Sequence, residues 1–322
     1  MRKLTASLIA ASLIATLSGC SSSSDSSFAG LDSTCKQYVG GDAIDKVSVT
    51  GEFGTLPEAK FAAPLTSDKI ETKVISEGDG PKFTGDQFVE LEFMAINGGT
   101  GATLQSTKFD GTDFGSQVIA SGDYPDFCHA LSGVRGGSRI AVLFPAALAH
   151  KSEGNAESGL GKDDSVVYVI DVRKVYLPYA VGESQPAQAG FPSVVRAENG
   201  TPGITQLKGA APAEFKLQTL IKGAGELVSQ GDKITVHYSG FVWGGEKFDS
   251  SWDRGQPAQF QLSQGQLIDG FIKALDGQSV GSQVVAVIPP AEGYGDQEQG
   301  SIPANSTLIF VIDILGTTKP AN

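Results

Sequence analysis

Gly231-Asp232-Lys233-Ile234-Thr235-Val236-His237-Tyr238-Ser239-Gly240, followed by Gly245-Glu246-Lys247-Phe248-Asp249-Ser250-Ser251, decides how this chain folds. A turn opens the first run, and alternating residues follow with the period of a half-buried strand. The same plan stands earlier in the chain. Gly78-Asp79-Gly80 and then Gly85 to Phe93 parallel Gly223-Ala224-Gly225 and then Gly231 to Tyr238. Phe127 with Leu131 to Ser138 parallels Phe271 with Asp276 to Ser282, and Val166 to Asp171 parallels Leu308 to Asp313. The offset stays at about 140 to 146 residues, far longer than a solenoid repeat of roughly 20–50. It reads as two tandem domains made by duplication, which a chain of 322 residues has the length to hold.

Composition narrows the function. Forty per cent apolar residues can fill globular cores, and 41 glycines point to many turns between short strands. The 24 basic and 36 acidic residues leave a net charge of −12, the wrong sign for gripping phosphate backbones, so no nucleic-acid partner is expected. The three histidines, His129, His150 and His237, form no HExxH or paired His/Cys motif, and no metal site is expected. His237 falls on the opposite strand face from Tyr238 and reads as a sheet-surface residue. No ordered Ser-His-Asp set, CxxC, P-loop or dinucleotide fingerprint supports hydrolase, thiol-redox or nucleotide chemistry.

The order of the second-half motifs is more specific. After the two opening runs come Gly265-Gln266-Leu267-Ile268-Asp269-Gly270-Phe271, Pro290-Ala291-Glu292-Gly293-Tyr294-Gly295 and Ile302 to Phe310. Over roughly 110 residues this resembles the FKBP-type peptidyl-prolyl isomerases. The resemblance implies an α+β fold, each copy a twisted antiparallel sheet of five or so strands wrapped around a short helix, here Ile268 to Leu275. It implies catalytic roles for Tyr238, Phe248, Asp249, Tyr294 and Phe310. Substrate-binding roles fall to Leu267, Ile268, Phe271, Phe260, Arg254 and Ile302, with Arg254 steadying Tyr238 and Asp249. Phe271 stands where the family often has Trp, and Ala258 where an aromatic often lines one wall. The implied partners are proline-containing unfolded or extended polypeptides, with some affinity for macrolide immunosuppressants and no cofactor.

The N-terminus carries a separate message. Arg2 and Lys3 precede a short apolar run from Leu8 to Leu17, and Leu17-Ser18-Gly19-Cys20 closes it. The run is shorter than the roughly 20 residues a spanning helix needs. It resembles a bacterial lipoprotein leader, residues 1–19, which implies a lipid on Cys20, an extracytoplasmic location and anchoring to the cell membrane. Residues 20–45 begin with a Ser-rich tether. Two thiols then remain, Cys35 and Cys128. Outside the cytoplasm they suggest a disulfide that pins the start of the first domain, and two separate buried thiols is the competing reading.

These boundaries give a first domain over 46–177, a linker over 178–203 and an isomerase domain over 204–322; within the linker Phe191-Pro192-Ser193-Val194-Val195 is more apolar and is expected to pack on the second domain. The first copy keeps the fold signal without the site signal. Phe93 stands at the Tyr238 place, Leu104-Gln105-Ser106-Thr107 at the Phe248 to Ser251 place, and Pro145 to His150 contains no tyrosine; Tyr168 keeps an aromatic at the Phe310 place. It reads as a degenerate domain that serves as a spacer, a substrate-holding surface or a docking module. The chain as a whole reads as an isomerase assisting extracytoplasmic folding. A holdase that binds peptides without turnover is the alternative.

Overall fold

The computed structural model describes residue 35 and residues 40–85, 87–118, 125–205 and 209–320. The leader, Cys20 and the Ser-rich run lie outside the described residues. The chain forms a hairpin of β1 (Ser48–Thr50) and β2 (Glu58–Lys60), then β3 (Glu71–Ser76), β4 (Phe88–Asn97), β5 (Thr103–Ser106) and β6 (Gly115–Val118). Helix α1 (Phe127–Leu131), β7 (Ser138–Phe144), α2 (Ala146–His150) and β8 (Val166–Val175) complete the first half. The second half runs β9 (Glu183–Ser184), a hairpin of β10 (Ser193–Arg196) and β11 (Pro202–Thr205), then β12 (Lys216–Lys222), β13 (Lys233–Val242), β14 (Lys247–Ser250) and β15 (Ala258–Gln261). Helix α3 (Asp269–Leu275), β16 (Gln283–Ile288) and β17 (Leu308–Thr318) close it.

Both large sheets are antiparallel and share one strand order. The first is β3-β7-β8-β4-β5 with β6 also on β4, and the second is β12-β16-β17-β13-β14 with β15 also on β13. Register agrees as well. Phe93 lies opposite Ile170 and Tyr238 opposite Ile312. Even the bulges recur at matching places, between Glu90 and Leu91 in one sheet and between Thr235 and Val236 in the other. A bulge re-aims every side chain beyond it, so its recurrence keeps the same positions facing the same way in both copies. The architecture is α+β.

The alternation in β13 does not mark a wet face. Thr235, His237 and Ser239 are buried together with Val236 and Tyr238. One face of each sheet packs on its short helix, and the preceding hairpin helps cover the other. Ile44, Val47, Val49 and Phe61 pack against Met94, Leu143 and Val169 in the first half. In the second half Phe191, Val194 and Ile204 pack against Val285, Val287, Ile309 and Val311. Strands with two dry faces read as continuous apolar runs, as Val166 to Ile170 and Val284 to Ile288 do. Several polar members of the hairpin-side face pair with one another, as Gln283 does with Asp313 and Ser239 with Ser250. In the first sheet Arg139 donates to both Asp171 oxygens (2.6 and 2.9 Å) and to the carbonyls of Gly51 and Thr55, which ties down the hairpin turn.

His237 therefore differs from its sequence reading. It is 8 % exposed, stacks on Trp252 with centroids 3.8 Å apart, and its Nδ1 lies 2.9 Å from Ser251 Oγ. Residues 178–203 have linker composition, yet much of the stretch is held. The Ala180 N–H donates to Asp313 Oδ2 at 2.8 Å, Val181 N–H to the Gly281 carbonyl, and β9 pairs with β12. Backbone groups made these bonds, and they do not depend on side-chain hydrophobicity. The two halves also touch directly. Tyr176 is buried with Phe88 and Leu315, and its hydroxyl donates to Glu90 Oε1 at 2.7 Å. A Cβ on Gly316 would sit 2.6 Å from the Tyr176 ring, so glycine is what lets the ring lie on β17. Cys35 and Cys128 are joined by a disulfide that spans 93 residues and ties the chain's start to α1.

Candidate active site

Five rings from five elements meet on the helix-side face of the second sheet. β13 supplies Tyr238, β17 Phe310, β14 Phe248, β15 Phe260 and α3 Phe271. Phe271 lies 5.2 Å from Phe310, 5.8 Å from Phe260 and 6.1 Å from Tyr238, each pair edge-to-face. Phe248 meets Phe310 edge-on at 5.5 Å. Edge-to-face contacts place the positive rim of one ring on the negative face of the next, contributing about 0.5–1.5 kcal/mol per pair. Tyr238, Phe271, Phe310 and Ile302 are buried, whereas Phe248, Phe260, Leu267, Ile268 and Tyr294 are half-buried around them. The arrangement is a dry aromatic floor with a partly open rim.

One glycine makes the packing feasible. A Cβ on Gly240 would lie 2.5 Å from the Phe248 ring and 3.0 Å from that of Phe310. The first copy has Ala95 at this place, opposite Gln105, as Gly240 lies opposite Asp249. It also has Leu104 in place of Phe248, so ring and glycine are absent together.

A polar clamp holds the rim. The Tyr238 hydroxyl donates to Asp249 Oδ2, Arg254 Nη1 donates to Asp249 Oδ1, and Arg254 Nη2 donates to the Tyr238 oxygen at 3.1 Å. Arg254 also lies over the Tyr238 ring, 5.6 Å from its centre. Burial first, and then the hydrogen bond to Asp249, push the Tyr238 phenol up. Burial, and then the Asp249 charge, do the same for Tyr294. Both phenols therefore keep their protons at neutral pH and remain donors. Tyr294 comes from a tight segment after β16 in which Gly295 N–H donates to the Pro290 carbonyl and Asn305 N–H to that of Gly295. Ile268 precedes α3 in extended conformation, and its carbonyl receives the first helical bonds from Phe271 and Ile272.

Ser251, which no motif marks for a role, also shapes the site. Its hydroxyl accepts the Tyr238 N–H at 2.8 Å and so fixes the strand that carries the phenol. Thr107 accepts the Phe93 N–H at 3.0 Å in the first sheet, and that recurrence is the signal that would have found it. Gly240 was visible only as part of a motif, because its necessity lies in two rings brought from β14 and β17.

The corresponding place in the first half holds a ring cluster of its own. Phe127, Phe144 and Tyr168 pack edge-to-face at 5.2–5.6 Å, and Phe93 closes on Tyr168 at 6.0 Å. Phe144 stands where the second half has Ile288, each strand-end residue pairing with the start of its neighbour. Leu148 and Ala149 pack against the same cluster.

Comparison with known proteins agrees with this geometry. Residues 224–315 match the family model of FKBP-type peptidyl-prolyl cis-trans isomerase. FK506-binding protein 2 of Dictyostelium discoideum is 42 % identical over 113 residues, 34 % of this chain and 84 % of that protein. An FK506-binding protein of Streptomyces anulatus is 39 % identical over 110 residues, 33 % of this chain and 89 % of that protein. The FKBP-type isomerase FkpA of Aeromonas hydrophila is 34 % identical over 206 residues, 58 % of this chain and 76 % of that protein. Relatives matched along most of their own length, together with a matching family model over the ring-bearing strands, place this chain in the FKBP-type peptidyl-prolyl cis-trans isomerase family, and it is an isomerase of the prolyl bond.

Proposed function

We propose that the second domain carries the turnover, acting on proline-containing segments of unfolded or extended polypeptides outside the cytoplasmic membrane. The observation that carries this is the convergence of Tyr238, Phe248, Phe260, Phe271 and Phe310 on one floor. A prolyl amide rotates slowly because planarity is enforced by resonance, with a barrier near 20 kcal/mol. Twisting breaks that resonance and reduces charge separation across the C–N bond. An apolar floor therefore favours the twisted state over the planar one. The Ile268 N–H and the Tyr294 hydroxyl donate to substrate carbonyls on either side of the bond. The clamp of Asp249 and Arg254 keeps the Tyr238 ring face toward the substrate. No covalent bond forms or breaks.

The same cup would take macrolides of the FK506 type, and the first copy is a degenerate domain of the same fold. A lipid on Cys20 would tether the chain to the membrane surface. The leader-like N-terminus supports this, as does the Cys35–Cys128 bridge, which suits an oxidising compartment.

The test is a protease-coupled proline tetrapeptide assay on the full chain. Phe310→Ala and Tyr294→Phe should each lower kcat/KM by about tenfold or more. Wild-type protein with no acceleration over background would overturn the assignment.

A further inference from the structure

The first half has a cleft beside its ring cluster, at the sheet positions that carry the cup in the second half. It encloses about 490 Å³, within the range of roughly 300–1,000 Å³ typical of ligand sites. Ala95, Leu104, Leu160 and Tyr168 supply its apolar lining, and Gln105 and Lys151 are among the polar groups at its rim.

Its walls are built. His150 stitches one wall together: Gly154 N–H donates to Nδ1 at 3.0 Å, so Nε2 carries the proton and donates to the Asp164 carbonyl at 2.8 Å. Asn97 donates to the Gly159 carbonyl and to Asp164, and Asn155 pairs with Leu160 through both backbone bonds. The opposite wall is β5, which among the described residues is the terminal strand of its sheet and pairs with β4. A terminal strand offers its outer backbone groups to an incoming extended chain.

Two features select the occupant. β5 and Tyr168 correspond in strand order to β14 and Phe310, so the cleft opens beside the same sheet positions that form the isomerase cup. Yet the groups that would act on a twisted amide are missing, with Phe93 for Tyr238 and Gln105 for Asp249. We propose that this cleft binds an extended segment of unfolded polypeptide along β5, an apolar side chain entering between Leu104, Leu160 and Tyr168, and holds it without isomerising it.

The inference rests on the reading that the chain acts on unfolded polypeptides, and its test separates the two. The full chain is titrated into fluorescein-labelled, reduced and carboxymethylated α-lactalbumin, and the same samples are assayed on a proline tetrapeptide too short to reach both sites. Leu160→Trp fills the cleft from its rim, and Leu104→Glu places a charge in its lining. Each should weaken binding of the unfolded polypeptide by about tenfold, with tetrapeptide kcat/KM within about twofold of wild type. A photo-crosslinking residue at Gln105 should capture the labelled polypeptide. Unchanged affinity in both variants, or affinity lost only on Phe310→Ala, would overturn the cleft. Absence of tetrapeptide turnover in wild type would overturn the cup and leave the cleft to be judged by the binding arm.

Discussion

At the scale of single residues, the cup is a problem of close approach. Gly240→Ala would drive a methyl into the Phe248 and Phe310 rings. Phe248 is half-exposed and can swing outward, so the expected result is a functional loss larger than the structural one. Tetrapeptide kcat/KM should fall about tenfold, while the unfolding free energy from chemical denaturation changes by only about 1 kcal/mol or less. The Asp249–Arg254 pair is partly exposed, so its contribution to stability is small, about 0–1 kcal/mol. Arg254→Lys keeps the charge and loses the fork that reaches carboxylate and phenol together. Activity should drop several-fold with an unchanged melting temperature, read by the tetrapeptide assay and calorimetry. The sequence showed which aromatics to suspect, because their order matched a known family. It could not show why His237 is buried, since Trp252 and the turn around Gly200 create that site from elsewhere.

Strands and their edges set the next scale. β13 ends its hydrogen bonding toward β14 on a side chain, the Ser251 hydroxyl at the Tyr238 N–H. Ser251→Ala would leave a buried donor unpaired, a cost of about 1–3 kcal/mol. Ser251→Thr should be close to neutral, because Thr107 already plays that part in the first sheet; chemical denaturation of both variants decides it. The hairpin-side face also holds two opposed titrations. Burial pushes the Asp313 carboxyl up to about 6. Burial, and then the Arg254 charge, push the His237 imidazole down to about 4. Between pH 3.8 and 6 the folded Asp313 holds a proton the unfolded one has lost, so its contribution falls as pH rises. Between pH 4 and 6.5 the unfolded His237 holds a proton the folded one lacks, so its contribution falls as pH drops. The two offset one another. His237→Gln should therefore gain stability from pH 7 to 5 and Asp313→Asn should lose it, measured as urea midpoints at both values. The strand pattern was legible from the sequence, and so was the apolar run from Phe191 that packs on the second sheet; the residues it covers, Val285, Val287, Ile309 and Val311, were not, because they share one face only once the strands have paired.

For the whole molecule, the joint at Tyr176 decides whether the halves behave as one. Gly316→Val would force the Tyr176 ring off β17, and Phe88 and Leu315 would lose their common partner. A single calorimetric transition should then separate into two, with tetrapeptide activity following the second-half transition. Two sheets of one strand order could be expected from spacing alone. The joint could not, because Tyr176, Phe88 and Leu315 are brought together only when both sheets have formed. The bridge between Cys35 and Cys128 bears on the molecule in another way. Tension applied to the residues ahead of Cys35 passes through a covalent bond straight into α1, so the 93-residue span between the two cysteines lies off the load path. A chain tugged from its front end would keep the β1–β2 hairpin and the strands β3 to β6 slack, and the pull would first be felt by the helix and the strands that follow it.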